Sequence, residues 1–309
     1  MRHRPIKSPR VITHFRSHEG PHEINANVHM FFQDVHLAVM PIGGRTEKHQ
    51  DFAVRIEGND TDCEKALDIC ESLAQYDRYD VTKVICDAVS NIASNLAWEG
   101  LSVYEIIYDN NNQGKFYLHN FTTKRLLKIP RYYIQFIPKK DAEYFKKRFV
   151  ILPSKDIWEI KMPSSLCGQN GYKKILTKLK KYKHLGPKFW RGDMEKQIQT
   201  KYFNFQEYVL SSEIYYARVT KQWGWRRRDY SQKNCTEFFS VYHGTTFRWA
   251  QAILREHIIG EINKLLSFLR INAKIMVEGL PTSKDILNIR DEITNGKINF
   301  MEALDKTTL

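Results

Sequence analysis

Residues 246–269, within TFRWAQAILREHIIGEINKLLSFLR, constrain this chain more than any other stretch, because their spacing predicts a helix that is apolar nearly all round. A surface helix lays one apolar stripe on a core and keeps a polar face in water. A helix without that polar face has to be enclosed, by the rest of its own chain or by a neighbouring subunit. At 1.5 Å per residue it spans roughly 36 Å, so what encloses it must be a substantial body. The chain has 309 residues, enough for roughly two domains, or one elongated domain with an insertion.

The remaining periodicity alternates between helical and extended segments, which predicts an α+β fold. VTKVICDAVSNIASNLAW places Val84, Ile85, Ala88, Val89, Ile92, Leu96 and Ala97 on one helical stripe, with Asp80 able to cap its start and Gly100 its end. LSVYEIIYD then alternates as a strand, and NNNQG supplies turn residues. Between residues 115 and 163 the runs FYLHNF, YYIQFIP, FVIL and DIWEIKM are short, aromatic and β-branched, separated by prolines and the tract KKDAEYFKKR. They predict a small β-rich subdomain inserted between helices. GYKKILTKLKKYKHLG returns to a helical pattern, with Tyr172, Ile175, Leu176, Leu179 and Tyr182 on one face and lysines on the others. Residues 206–223 are again amphipathic, AKIMV is a strand candidate, and Thr282 with Asp285 has capping-box spacing at the start of a last helix. Residues 1–23 are basic and poor in large apolar residues, which predicts a mobile arm. His14, His18 and His22 recur every four residues there, but Gly20 and Pro21 disfavour the helix that a metal site of this spacing would need.

Lys and Arg number 48 against 35 Asp and Glu, a formal net charge of +13. An excess of that size favours an anionic partner, nucleic acid being the commonest. Five cysteines, an odd number without any CxxC pair, fit neither a disulfide framework nor a zinc ribbon and predict free thiols in a reducing cytosol. No apolar run reaches the roughly 18 residues that span a bilayer, so no membrane association is expected. The absence of GxxxxGK[ST], GxSxG and HExxH removes the commonest nucleotide-motor, esterase and metalloprotease readings, and no cofactor or metal is expected.

One catalytic pattern is present. Asp141 or Asp156 followed by Glu159-Ile160-Lys161 has the D…ExK form of metal-dependent nucleases, in which two carboxylates hold a divalent ion and the lysine stabilises charge on a phosphate. The alternative is a surface strand of alternating charge, since ExK arises readily in a lysine-rich chain. The nucleic-acid candidates are Lys173, Lys174, Lys178, Lys180 and Lys181 on the lysine-rich helix, and Arg226, Arg227, Arg228 and Lys233 on the loop GWRRRDYSQKN. Trp223, Trp225 and Tyr230 flank the arginines and could stack on bases or pack in a core or subunit interface.

Several stretches, in order, resemble bacteriophage portal proteins, in particular those of Mu-like phages and related prophages. They are LAWEGLSVYEIIYD, then RFVILPSKDIWEIKMPSSLCGQNGYKKIL, then QKNCTEFFSVYHGTTFRWAQAILREHIIGEIN, and VEGLPTSKDILNIRDEITNGKINFMEAL. The resemblance covers about residues 65 to 305 and lies in the order of elements rather than in an invariant motif. It implies a subunit of a closed, typically dodecameric ring at a capsid vertex of the virion, through which double-stranded DNA is packaged by a separate terminase and later ejected. The implied partners are further copies of the chain, DNA, terminase, capsid and head-to-tail adaptor proteins, and no enzymatic activity is implied. By position, 24–112 corresponds to the first part of the wing, 113–163 to the clip, 164–228 to stem and returning helices, and 229–309 to a channel loop (229–246), the long helix and the rest of the wing. Lys139, Lys140, Lys146, Lys147 and Arg148 on the clip then become candidate contacts for terminase or adaptor. The chain is short for this family, which implies a reduced or absent crown.

Overall fold

The computed structural model describes residues 9–15, 26–37, 39–41, 52–74, 80–109, 115–181, 205–225 and 236–307. In chain order the elements are α1 (Ala26–Leu37), β1 (Ala53–Gly58), α2 (Asp60–Ala74), α3 (Val81–Glu99), β2 (Leu101–Asp109) and β3 (Lys115–Asn120). There follow β4 (Leu126–Ile129), β5 (Tyr132–Phe136), α4 (Lys139–Phe145), β6 (Phe149–Pro153) and β7 (Ile157–Lys161). The carboxy-terminal half holds α5 (Gly168–Lys181), α6 (Phe205–Val219), α7 (Glu237–Phe268), β8 (Ala273–Glu278), α8 (Ser283–Thr294) and α9 (Phe300–Thr307). Helix and sheet are mixed, as an α+β fold requires.

The long apolar helix is α7, and at 32 residues, or about 48 Å, it is longer than its apolar stretch predicts. Its start was hidden because EFFSVYHGT is aromatic, β-branched and glycine-containing, a poor intrinsic helix. Thr236 compensates by capping: its side chain accepts from the Phe239 amide at 3.2 Å. The first turns of α7 therefore occupy most of the stretch that the family resemblance assigns to a channel loop; residues 229–235 lie outside the described residues. Leu254, Ile258, Ile262, Leu265 and Leu266 are buried with α3, α1 and β8 in one large core. Polar ties fix its surroundings. Asn263 donates to the Ile275 carbonyl and accepts from the Ile275 amide, which holds β8 on the helix. Glu256 accepts from the amide and hydroxyl of Ser283 at 2.6 Å each, so it anchors the start of α8.

The remaining capping residues perform as their types predict. Asp80 Oδ1 accepts from the Thr82 amide at 2.9 Å, and Gly100 ends α3 in the left-handed conformation. A side chain at Gly100 would also come within 3.2 Å of the Tyr172 ring, because α5 begins against the end of α3. Tyr172 is fully buried and its hydroxyl donates to the Ala97 carbonyl at 2.8 Å. Thr282 and Asp285 form the expected capping box.

Among the described residues all strand pairs are antiparallel, in three small sheets ordered β1-β8, β3-β2-β7 and β4-β5-β6. The first ties the amino-terminal part to the carboxy-terminal part. The second separates two cores: Tyr104, Ile106, Leu118, Trp158 and Ile160 face the large helical core, while Val103 and Ile157 face a smaller one. The inner face of β4-β5-β6, with Tyr133, Val150 and Leu152, closes that smaller core. The predicted β-rich subdomain thus begins earlier than residue 113, since β2 is the central strand of its first sheet. Described residues on both sides of it, within 26–100 and 164–280, share the one large core, so the segments that the resemblance assigns to wing, stem and long helix pack together.

The predicted mobile arm is corrected within residues 9–15, which form a strap across the smaller core. Val11, Ile12 and Phe15 are buried there. Gln135, fully buried, donates to the Ile12 carbonyl at 2.8 Å and accepts from the Ile12 amide at 3.0 Å, pairing the strap as a strand neighbour would. Buried Glu105 accepts from the Arg10 amide at 3.0 Å and from Arg10 Nε at 2.6 Å. Buried polar groups with such a full set of partners fix one arrangement. Replacing Gln135 with Ala leaves both Ile12 backbone groups unpaired in a buried site, and should cost about 2–4 kcal/mol in urea denaturation while opening residues 9–15 to proteolysis. An unchanged midpoint with no new cleavage would contradict the strap.

Candidate nucleic-acid interface

Helix α5 has its faces segregated as its spacing predicts. Tyr172, Ile175 and Leu179 are buried in the large core, and Lys173, Lys174, Lys178 and Lys180 are exposed on the opposite side. The described helix runs to Lys181, whose side chain is outside the described residues, as are Arg226, Arg227, Arg228, Tyr230 and Lys233. Four exposed lysines concentrate positive charge on one face of the helix, a surface that would hold a polyanion electrostatically and independently of its sequence.

The tryptophans do not belong to that surface. Trp223 and Trp225 are buried, at ring distances of 5.8 and 5.1 Å from Phe31, and Tyr172 lies 5.5 Å from Trp223. Trp225 also donates to Asp34 at 2.8 Å. These rings join α1, α5 and the turn after α6, and none can stack on a base.

A second cationic group surrounds α4, where Lys139, Lys140, Lys146, Lys147 and Arg148 are all exposed. This short helix and the turn behind it connect β5 to β6. Sequence reasoning missed what lies beside them: the outer face of β4-β5-β6 is apolar on all three strands. Leu127, Ile134 and Ile151 stand in one cross-strand row, and Ile129, Tyr132 and Pro153 in the next. Phe136 and Phe149 face each other in a third row and are 43% and 54% exposed. The signal was present in the runs LLKI, YYIQF and FVILP, which do not alternate apolar with polar as a half-solvated strand does.

The D…ExK residues are structural partners in this fold. Glu159 on β7 accepts from Lys128 Nζ on β4 at 2.6 Å and from the Tyr133 hydroxyl on β5 at 2.7 Å, and pairs with Lys161 at 3.1 Å. Burial alone would raise the Glu159 pKa; the hydrogen bonds from Lys128, Tyr133 and Lys161 overcome it and hold the carboxyl below its ordinary value. Asp156 pairs with Arg10 at 2.8 Å, and Asp141 is buried in the first turn of α4. The three carboxylates are thus distributed over different contacts, and among the described residues no group of three His, Cys, Asp or Glu is placed to hold a metal. Glu159 instead clamps the two sheets together.

Burial pushes the Cys70 and Cys86 thiols up to about 12, with Glu71 and Asp87 adding to the effect, so neither is a nucleophile at neutral pH. Cys63 and Cys167 are also free, and Cys235 is outside the described residues. An open groove of about 660 Å³ between the β1-β8 ribbon and the end of α7 is lined by Glu57, Asn263, Lys264 and Lys274 without a paired acid and base. Among the described residues no helix is long and apolar enough to cross a membrane. No family model, no curated protein and no solved structure matches the chain.

Two outcomes are expected from this geometry. Because the Glu159 carboxyl is depressed in the fold, its stabilisation is present above the ordinary carboxylate range and fades as pH falls through the lowered value. Glu159→Gln should therefore flatten the acid limb of a stability-against-pH curve, while incubation of linear and supercoiled DNA with Mg²⁺ or Mn²⁺ gives no cleavage that depends on Glu159. Cleavage lost in Glu159→Ala would restore the nuclease reading. Replacing Lys173, Lys174, Lys178 and Lys180 with Ala should weaken duplex DNA binding equally for all sequences, and lower the slope of log K against log salt by about 0.9 per lost phosphate contact. A variant with unchanged affinity and slope would remove α5 from the interface.

Proposed function

We propose that the chain is the subunit of a portal-like ring, a structural conduit at a capsid vertex of a virion through which double-stranded DNA passes. Terminase, capsid and adaptor proteins are its partners in that setting, further copies of the chain close the ring, and the chain supplies no catalysis of its own. Movement of DNA through such a ring requires an outside ATPase.

The observation that carries the reading is the way the β unit is mounted. The chain leaves α3 at Gly100, builds two sheets, and returns beside its departure point: Leu101 pairs with Lys161, and the Met162 amide donates to the Gly100 carbonyl at 3.0 Å. Helix α5 then starts against the end of α3. A compact projection held between two adjacent helix ends is what a clip between stem helices requires. Its apolar outer face and exposed cations have no evident use in a chain that works alone, because monomers rarely expose a contiguous apolar patch of that extent.

A conduit needs a stiff wall whose contacts with its cargo are weak enough to let it slide. The Glu159 clamp and the Gln135 strap make the projection stiff, and exposed lysines bind phosphate without reading bases. The order of elements, helix, β projection, lysine-rich helix and long enclosed helix, matches the order that the portal resemblance implies.

Native mass spectrometry of the full chain, with negative-stain imaging of the same sample, tests the proposal. The expected result is a closed ring of one stoichiometry. A monodisperse monomer over a wide range of concentration and salt would overturn it.

A further inference from the structure

Residues 9–15 are held as a bound peptide is held. Val11, Ile12 and Phe15 sit in the smaller core, whereas α1, the next described helix, packs in the large one. The strap thus belongs to one body by its contacts and is joined to the other by the chain. Residues 16–25 are that link, and ten residues reach at most about 36 Å.

The slot that receives the strap lies between two sheets, with Glu105 of β2 on one side and Gln135 of β5 on the other. It engages the backbone of four consecutive residues. The Arg10 and Val11 amides donate to Glu105 Oε2 at 3.0 and 3.3 Å, both backbone groups of Ile12 pair with the Gln135 side chain, and the Thr13 carbonyl accepts from the Thr122 amide at 3.1 Å. Side chains add identity. Arg10 spans two acids, Glu105 at 2.6 Å and Asp156 at 2.8 Å, and the Thr13 hydroxyl meets His119 Nε2 at 2.8 Å. Backbone bonds for affinity and side-chain contacts for selection are how extended peptides are recognised.

Two features set the slot apart from ordinary core packing. Among the described residues, every hydrogen bond to the Glu105 carboxylate and to the Gln135 side chain comes from the strap, and both side chains are buried. A segment that only filled the core would be met by apolar side chains, because a buried carboxylate and carboxamide without other partners are costly. The slot also has a support of its own: Glu159 holds the two sheets together through Lys128 and Tyr133, none of which belongs to the strap.

We propose that this slot is a peptide-binding site for an extended segment led by arginine and followed by two β-branched residues, and that copies of the chain exchange their straps through it. The strap is then a tethered ligand, favoured in its own slot by proximity and replaceable by the identical segment of a second copy. The exchange goes beyond the ring reading and stands whether or not a ring closes.

A fluorescent peptide of residues 8–16 tests the site by anisotropy. Its target is the full chain carrying Arg10→Glu with Ile12→Asp, which removes the strap's own anchors. Binding should be at least about tenfold tighter than to the unaltered chain, whose tethered strap competes. The peptide with Arg10→Lys should bind about tenfold more weakly, because one ammonium does not bridge two acids as a guanidinium does. Should the strap-defective chain not fold alone, the peptide should restore a cooperative thermal transition by mass action. A folded variant that does not bind the peptide, or an unfolded one that the peptide does not rescue at about 1 mM, the effective concentration of a short tether, would overturn the site.

Exchange is tested with full chains. Gln135→Ala frees the strap of one chain, and Phe15 of that chain is replaced by photoreactive benzoylphenylalanine; the unaltered slot with the same probe serves if the Gln135 variant does not fold. Irradiation with isotope-labelled strap-defective chain should join the strap of one copy to β5 or β6 of the other, and excess free peptide should suppress the product. Peptide binding without cross-links between copies, or cross-links that the peptide leaves unchanged, would overturn the exchange.

Discussion

Enclosing α7 is the condition that the rest of the molecule has to meet. Leu254, Ile258, Ile262 and Leu265 form one buried stripe along the helix, and each would cost about 2–5 kcal/mol if cut back to Ala. The chain meets this demand by packing on the buried stripe from several elements, while Glu256, Lys264, Ser267 and Phe268 stay exposed. The α3 stripe packs on one side, the β1-β8 ribbon is fixed through Asn263, and α8 and α9 close over the first turns. His257 reaches the Lys161 carbonyl at the end of β7, at 2.9 Å, so the base of the β projection is fastened to the same helix. Polar side chains buried along α7 are spent on its neighbours: Gln251 Nε2 donates to the Asp34 carbonyl of α1, and the Arg255 guanidinium to the Pro281 carbonyl before α8.

From that fixed base the projection extends as two sheets around a small core. Its rigidity comes from polar groups that are hard to recognise singly. Glu159 has the look of a catalytic carboxylate in the sequence, yet its partners Lys128 and Tyr133 come from the other sheet, and its effect is mechanical. Gln135 and Glu105 hold a strap contributed by residues more than ninety positions away in the chain. Among the described residues, the outer face is the part of the projection left without a covering layer.

What could be read in advance follows from how local each cause is. Asp80 with Gly100, and Thr282 with Asp285, act within one helical turn, so the ends of α3 and the start of α8 were legible. The strands β2, β5, β6 and β7 were legible from their β-branched and aromatic runs. The start of α7 was not, because EFFSVYHGT has poor helix propensity and is held by Thr236 and by packing on α8 and α9. Residues 9–15 read as an arm because Val11, Ile12 and Phe15 are few and flanked by cationic residues, and nothing local to them points to Gln135, 123 positions from Ile12. The lysine face of α5 was visible in the sequence, whereas the roles of Trp223 and Trp225 depended on Phe31, which only the fold brings beside them.

In the proposed ring, the stiff β projection on its helix-centred body would stand around an open axis. Single-particle cryo-electron microscopy of the assembled full chain tests it most directly. The expected result is cyclic symmetry, an axial lumen that admits a DNA duplex, and the β4-β5-β6 unit forming one rim of the ring. A closed two-fold dimer without a lumen, or a ring whose axis is filled by the β unit, would contradict it.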